Sequence, residues 1–154
     1  MIDWKPLMTR SEAEVYTRNS YYFGQSLYHG TSKLAANSII TFGLLLSSNR
    51  VNSYGEGCYF TFGRLIAISY AVACKNPTLI TAKVNVKNPK KFTDSIDFDD
   101  FLDHHRIPFD DLQAKMVTQI LIAEGYDAIE VGGDWILVII LDRKQIAVFS
   151  VEEL

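Results

Sequence analysis

Four residues of this chain stand in a pattern that suits chemistry. His29 and Gly30 lie in Ser26-Leu27-Tyr28-His29-Gly30-Thr31-Ser32, and Tyr59 lies in Gly55-Glu56-Gly57-Cys58-Tyr59-Phe60-Thr61, eleven positions before Tyr70. A histidine at a strand end offers ring nitrogens that donate or accept near neutral pH. A glycine directly after it lets the backbone approach a ligand closely. Two tyrosines offer flat faces for stacking. Together they make a pocket for a flat, polar, aromatic ligand. Taken singly, His29 reads as a cap or core histidine, and Tyr59 and Tyr70 as core aromatics. Only their company distinguishes them.

The elements that must position them follow from local signals. Thr9 and Glu12 have capping-box spacing, which opens a helix over roughly residues 10–18. Tyr21-Tyr22-Phe23 is β-prone, and Ser26 to His29 reads as a strand. Ser32 caps a helix carrying Ala35, Ala36, Ile39 and Ile40, and Gly43 ends it. Ser47 to Gly55 reads as a loop, and Leu65 to Cys74 as a mostly buried helix. Thr78 to Val86 reads as a strand ended by Asn88-Pro89. Asp94 to Asp103 is acidic and expected at the surface. Asp110 and Gln113 form a second capping box, opening a helix with Leu112, Met116, Ile120 and Leu121 that Gly125 stops. Ala128 to Val131, Ile136 to Leu141 and Ile146 to Val151 read as strands. Helix, strand, helices, strand, helix, strands is an α+β order.

Composition narrows the class. At 154 residues the chain is expected to form one domain, 1–154, with residues 1–24 as an N-terminal helical extension. Apolar residues are 48% and charged residues 21%, which argues against general disorder. A net charge of −3 argues against a broad basic surface but not against a local groove. Cys58 and Cys74 give neither a zinc pattern nor a disulfide framework. They read as reduced thiols in a cytoplasmic protein. No apolar run reaches membrane-spanning length, and no signal peptide is expected. Asp97, Asp99, Asp100, Asp103, His104 and His105 invite a metal reading. Adjacent histidines on a helix point about 100° apart, however, so a solvated surface helix is expected and no metal.

Tyr28-His29-Gly30-Thr31, Ile39-Ile40, Gly43-Leu44, Gly55-Glu56-Gly57-Cys58-Tyr59-Phe60-Thr61 and Ser69-Tyr70-Ala71 together resemble a known family. It is the diphtheria-toxin-like, poly(ADP-ribose) polymerase-type ADP-ribosyltransferases. That family carries His-Gly on its first strand, Gly-x-Tyr-Phe on the next, and a second tyrosine eleven positions further. Lys83 to Pro89, Gly125 to Ile129 and Leu141 to Ile146 are similar to elements of small bacterial and phage members. The likeness spans roughly residues 26–150.

The resemblance implies two small β-sheets packed around an NAD cleft, with flanking helices. It implies that His29 holds the 2′-hydroxyl of the nicotinamide-side ribose. The Gly30 backbone would bond the carboxamide, Tyr59 and Tyr70 would sandwich the ring, and Thr31 would lie near the adenine-side ribose. Three positions depart from the pattern. Ala67 stands where a serine is frequent, Leu45 where an arginine is frequent, and Leu137 where many members place the catalytic glutamate. Members with an apolar residue there are mono-ADP-ribosyltransferases or inactive. Glu130 and Asp134 stand nearby, and each reads by itself as a solvated carboxylate at a strand edge or turn.

The resemblance thus implies transfer of one ADP-ribose from NAD to a macromolecular acceptor, protein or nucleic acid. It further implies a toxin or phage-conflict effector with a neutralising antitoxin. The alternatives are a catalytically silent NAD or ADP-ribose binding module and an NAD glycohydrolase.

Overall fold

A computed structural model describes residues 2–43 and 54–154. Leu44, Leu45 and most of the Ser47–Gly55 loop lie outside those residues. The fold is α+β. Its helices are α1 (Arg10–Tyr16), α2 (Lys33–Phe42), α3 (Arg64–Ala71), α4 (Ser95–His104) and α5 (Gln113–Ala123). Its strands are β1 (Leu27–Ser32), β2 (Cys58–Thr61), β3 (Pro77–Val84), β4 (Pro89–Phe92), β5 (Ala128–Val131), β6 (Leu137–Ile140) and β7 (Ile146–Glu153).

The strands form one seven-stranded sheet in the order β4-β5-β6-β2-β1-β3-β7, not the two small sheets expected. Among these seven strands only β4 and β5 pair in parallel. The reason for the single sheet lies at β1, which pairs on both sides. It meets β3 along its whole length, from Leu27↔Ala82 to Ser32↔Pro77, but meets β2 only at Tyr28↔Thr61. A four-stranded and a three-stranded block are thus joined at a narrow seam.

Both faces of the sheet are covered. Leu27, Phe60, Ile80, Val138 and Ile140 form a core with Ala36 and Ile39 of α2. Phe92, Ile129, Ile139 and Leu141 form a second core with Phe98 of α4 and Val117 and Leu121 of α5. Burial on both faces is why residues 137–141 are apolar without alternation.

Several boundaries follow their local signals. The Thr9–Glu12 capping box forms with both bonds, Ser32 caps α2, and Gly43 closes it at φ 86°. Gly125, at φ 92°, follows α5.

Other expectations are corrected. Tyr21-Tyr22-Phe23 is a turn, because the Ser20 hydroxyl accepts from the Tyr22 and Val86 backbone N–H groups. β3 ends at Val84, and Pro89 opens edge strand β4, where a missing donor costs no ladder bond. The Asp110–Gln113 box does not form. Asp110 accepts instead from the Leu112 N–H, a tighter turn, and α5 starts at Gln113. The acidic segment does lie at the surface, as helix α4, with Asp99, Asp100 and Asp103 exposed and Phe98 and Leu102 inward. The helix after β2 is amphipathic, not mostly buried: Ala67 and Ala71 are inside while Leu65, Tyr70 and Val72 are exposed.

The N-terminal segment lies along β7. The Trp4 indole N–H donates to the Ile146 carbonyl, and the Met8 N–H to the Val148 carbonyl. Among the described residues no helix is long and apolar enough to cross a membrane.

Candidate functional site

His29, Gly30 and Tyr59 meet at the seam through backbone and a single bond. The His29 ring, however, lies beside Phe60 on the face of Ile80, the Tyr59 side chain packs on the opposite face with Leu137, and Tyr70 stands half exposed on α3. Continuing the Tyr28↔Thr61 register would set Gly30 opposite Tyr59, but the β1–β2 ladder stops first. His29 bridges the gap, its Nδ1 lying 2.6 Å from the Tyr59 carbonyl oxygen. A carbonyl only accepts, so Nδ1 carries the proton. Burial lowers the His29 pKa from its ordinary value, and the bond to the Tyr59 carbonyl opposes this in part. The ring is therefore neutral at pH 7, and its Nε2 is an acceptor.

This neutral histidine has a pH signature. Its folded pKa lies below the unfolded value of 6.5, so the unfolded chain binds more protons as pH falls through 6.5. Stability should decline from pH 7 toward pH 5. His29→Gln, whose amide still donates, should flatten that decline in melting scans. An unchanged slope would contradict a buried, neutral His29.

Gly30 is required by packing. A Cβ there would lie 1.9 Å from the Ala67 carbonyl oxygen and 2.8 Å from the Ala71 nitrogen. The small pair Ala67/Ala71, one turn apart, seats the α3 backbone directly on β1. Tyr70, on the same helix, is 51% exposed.

Tyr59 has a structural job that spacing did not reveal. Its hydroxyl donates to the Gly55 carbonyl at 2.7 Å and accepts from the Tyr54 N–H at 3.0 Å. The side chain packs against the core under α4 and α5, and burial pushes the hydroxyl up to about 12. Tyr59 thus anchors the chain as it enters β2. The Thr118 hydroxyl does the same for Glu56, accepting from its N–H and donating to its carbonyl. The turn glycines around Tyr59 were the only signal available.

Thr31 is half-buried, opposite Thr78. Leu137 lies opposite Thr61, so Tyr28, Thr61 and Leu137 form one cross-strand row spanning the seam. Leu137 also packs with the core cluster that includes Tyr59.

Glu130 pairs with Val138, one residue off that row, which turns it to the opposite face. It is not the solvated edge carboxylate expected. The Tyr22 hydroxyl donates to it at 2.8 Å, Lys91 stands 3.9 Å away, and its side chain is 17% exposed. Tyr22→Phe should therefore cost about 1–2 kcal/mol, seen as a melting temperature lower by about 2–8 °C. An unshifted midpoint would mean that the bond contributes nothing. Asp134 is exposed in the turn before β6.

The rings of His104 and His105 stand at 87° to each other, and His105 Nε2 lies 3.8 Å from Glu124. Among the described residues no group of three His, Cys, Asp or Glu side chains is placed to hold a metal. Two hollows, of about 200 and 230 Å³, flank α1 and the turn after it, and neither is lined by His29, Gly30, Tyr59 or Tyr70. No protein-family model matches the chain, and no curated protein matches it.

Proposed function

We propose that the chain is a mono-ADP-ribosyltransferase that cleaves the nicotinamide–ribose bond of NAD and passes one ADP-ribose to a macromolecule. The observation that carries this reading is the seam. His29 spends its Nδ1 proton on the Tyr59 carbonyl, leaving Nε2 to accept from a ribose hydroxyl. Gly30, beside it, pairs with Leu79 in β3 but not with β2, and on this reading its backbone bonds the planar carboxamide. Tyr70, half exposed on α3, supplies a stacking face for the leaving ring, while Tyr59 fixes the start of β2 beside it.

Nicotinamide leaves with the bonding electron pair. The ribose carbon becomes cation-like and is taken by the acceptor's nucleophile, which sheds its proton. A site that excludes water favours the acceptor over hydrolysis. Leu137 offers no acceptor atom to a second ribose hydroxyl, so the product should carry a single ADP-ribose and no polymer. The same leucine favours the second reading, a module that holds NAD or ADP-ribose without chemistry.

Labelled NAD incubated with the chain and separate protein, RNA and DNA pools decides between them. Label on one pool, one ADP-ribose per site by mass spectrometry, is the expected result. Ladders of repeated units would overturn the single-transfer assignment. Free ADP-ribose alone would make the chain a glycohydrolase. No turnover, with NAD still raising the melting temperature, would make it a binding module.

A further inference from the structure

Charge is strongly segregated along this net-acidic chain. From Val15 to Thr93 there are nine lysines and arginines and one acid, Glu56; from Asp94 to Leu154 there are fourteen acids and four bases. The fold then draws part of the basic half onto one short segment, the turn between α1 and β1.

Three lysines spaced four apart reach the same turn. Lys83, 5% exposed, holds the turn from beneath by donating to the Gln25 carbonyl at 3.4 Å, whereas Lys87 and Lys91 are exposed: Lys87 donates to the Asn19 carbonyl at 3.0 Å, and Lys91 lies 4.5 Å over the Tyr21 ring. The two hollows open on either side of this turn. One is lined by Arg10, Phe23 and Lys83, the other by Arg18, Asn19 and Lys87. The acids nearby are already engaged. Glu14 is held by Arg10, Glu130 by Tyr22 and, at 3.9 Å, by Lys91 itself, and Asp127 accepts from the Lys87 and Asn88 backbone N–H groups. Two aromatic rings stand out from this basic ground, Tyr21 at 53% and Phe23 at 65% exposure.

From this juxtaposition we infer that the α1–β1 turn, with the exposed Lys87 and Lys91, is a binding surface for single-stranded nucleic acid. The cations track phosphates, and exposed rings stack on unpaired bases, the combination that sequence-tolerant single-strand binding requires. A duplex keeps its bases stacked internally and leaves Tyr21 and Phe23 without partners. An acidic peptide would use the lysines but not the rings. The surface lies apart from the seam and does not depend on NAD cleavage.

Fluorescence anisotropy with 12-nucleotide single-stranded RNA and DNA, without NAD, tests this. Tight binding of either strand is expected, and the tighter one identifies the sugar. Lys87→Glu with Lys91→Glu should weaken it by about tenfold or more and reduce its salt dependence. Lys75→Glu with Lys115→Glu, the same charge change elsewhere, should leave it within about twofold. Phe23→Ala, at an exposed ring that the fold does not need, should weaken it about fivefold. The inference is overturned if the folded chain binds neither strand at low salt, or if both double variants lose affinity equally. It is also overturned if a duplex or a poly-glutamate peptide of matched charge binds as tightly.

Discussion

Gly30→Ala should lower the melting temperature by roughly 6–12 °C, the consequence of about 3 kcal/mol of overpacking in a chain of this size. The methyl would meet the Ala67 carbonyl oxygen at 1.9 Å. The obstruction is backbone, so no rotamer change relieves it, and α3 must move off β1. Trimming the neighbour does not help either: Gly30→Ala combined with Ala67→Gly should be no more stable than Gly30→Ala alone. On the proposed reading, NAD-dependent stabilisation should fall as well, because α3 carries Tyr70. A Gly30→Ala protein that melts like the parent would show that α3 does not sit where it is described.

The second large effect concerns His29. On the proposed reading, His29→Ala should lower kcat/KM for NAD cleavage by about a hundredfold, the scale of losing a positioned contact at a reacting centre. It removes the Nε2 acceptor for the ribose hydroxyl and also the bridge to Tyr59. His29→Gln separates these roles. Its amide restores a donor to the Tyr59 carbonyl, so melting should recover while catalysis stays low. If His29→Ala keeps a third or more of the parent rate, His29 does not hold the ribose.

What could be read from the sequence was what is decided locally. The Thr9–Glu12 box, the Ser32 cap and the Gly43 and Gly125 stops depend on residues within a turn of each other, and all appear. The span Ala128–Val131 matches β5 residue for residue, since a short apolar run between turns has few other outcomes. The failures involve distant partners. Tyr21-Tyr22-Phe23 is β-prone by composition, but Tyr22 turns into the core beside Phe62 and bonds Glu130, over a hundred positions away. By sequence Gly30 reads as room for a ligand; what the fold sets against it is the α3 backbone. The identities of His29 and Tyr59 were visible; the bond joining them across the seam was not, because it depends on where a β-ladder stops.

The sheet's two margins also bear on how the molecule behaves among its own copies. A bare terminal strand is a template for intermolecular pairing and aggregation. At one margin β4 is only four residues long, begins with Pro89 and carries Lys90 and Lys91, three features that discourage a second strand. β7 is twice that length, and its own charges, Glu152 and Glu153, stand only at its far end. The cover there is the N-terminal segment, through Trp4, the Leu7–Val148 bridge and Met8. That segment acts as a stopper on the longer edge, and displacing it would convert a self-contained sheet into one competent to polymerise.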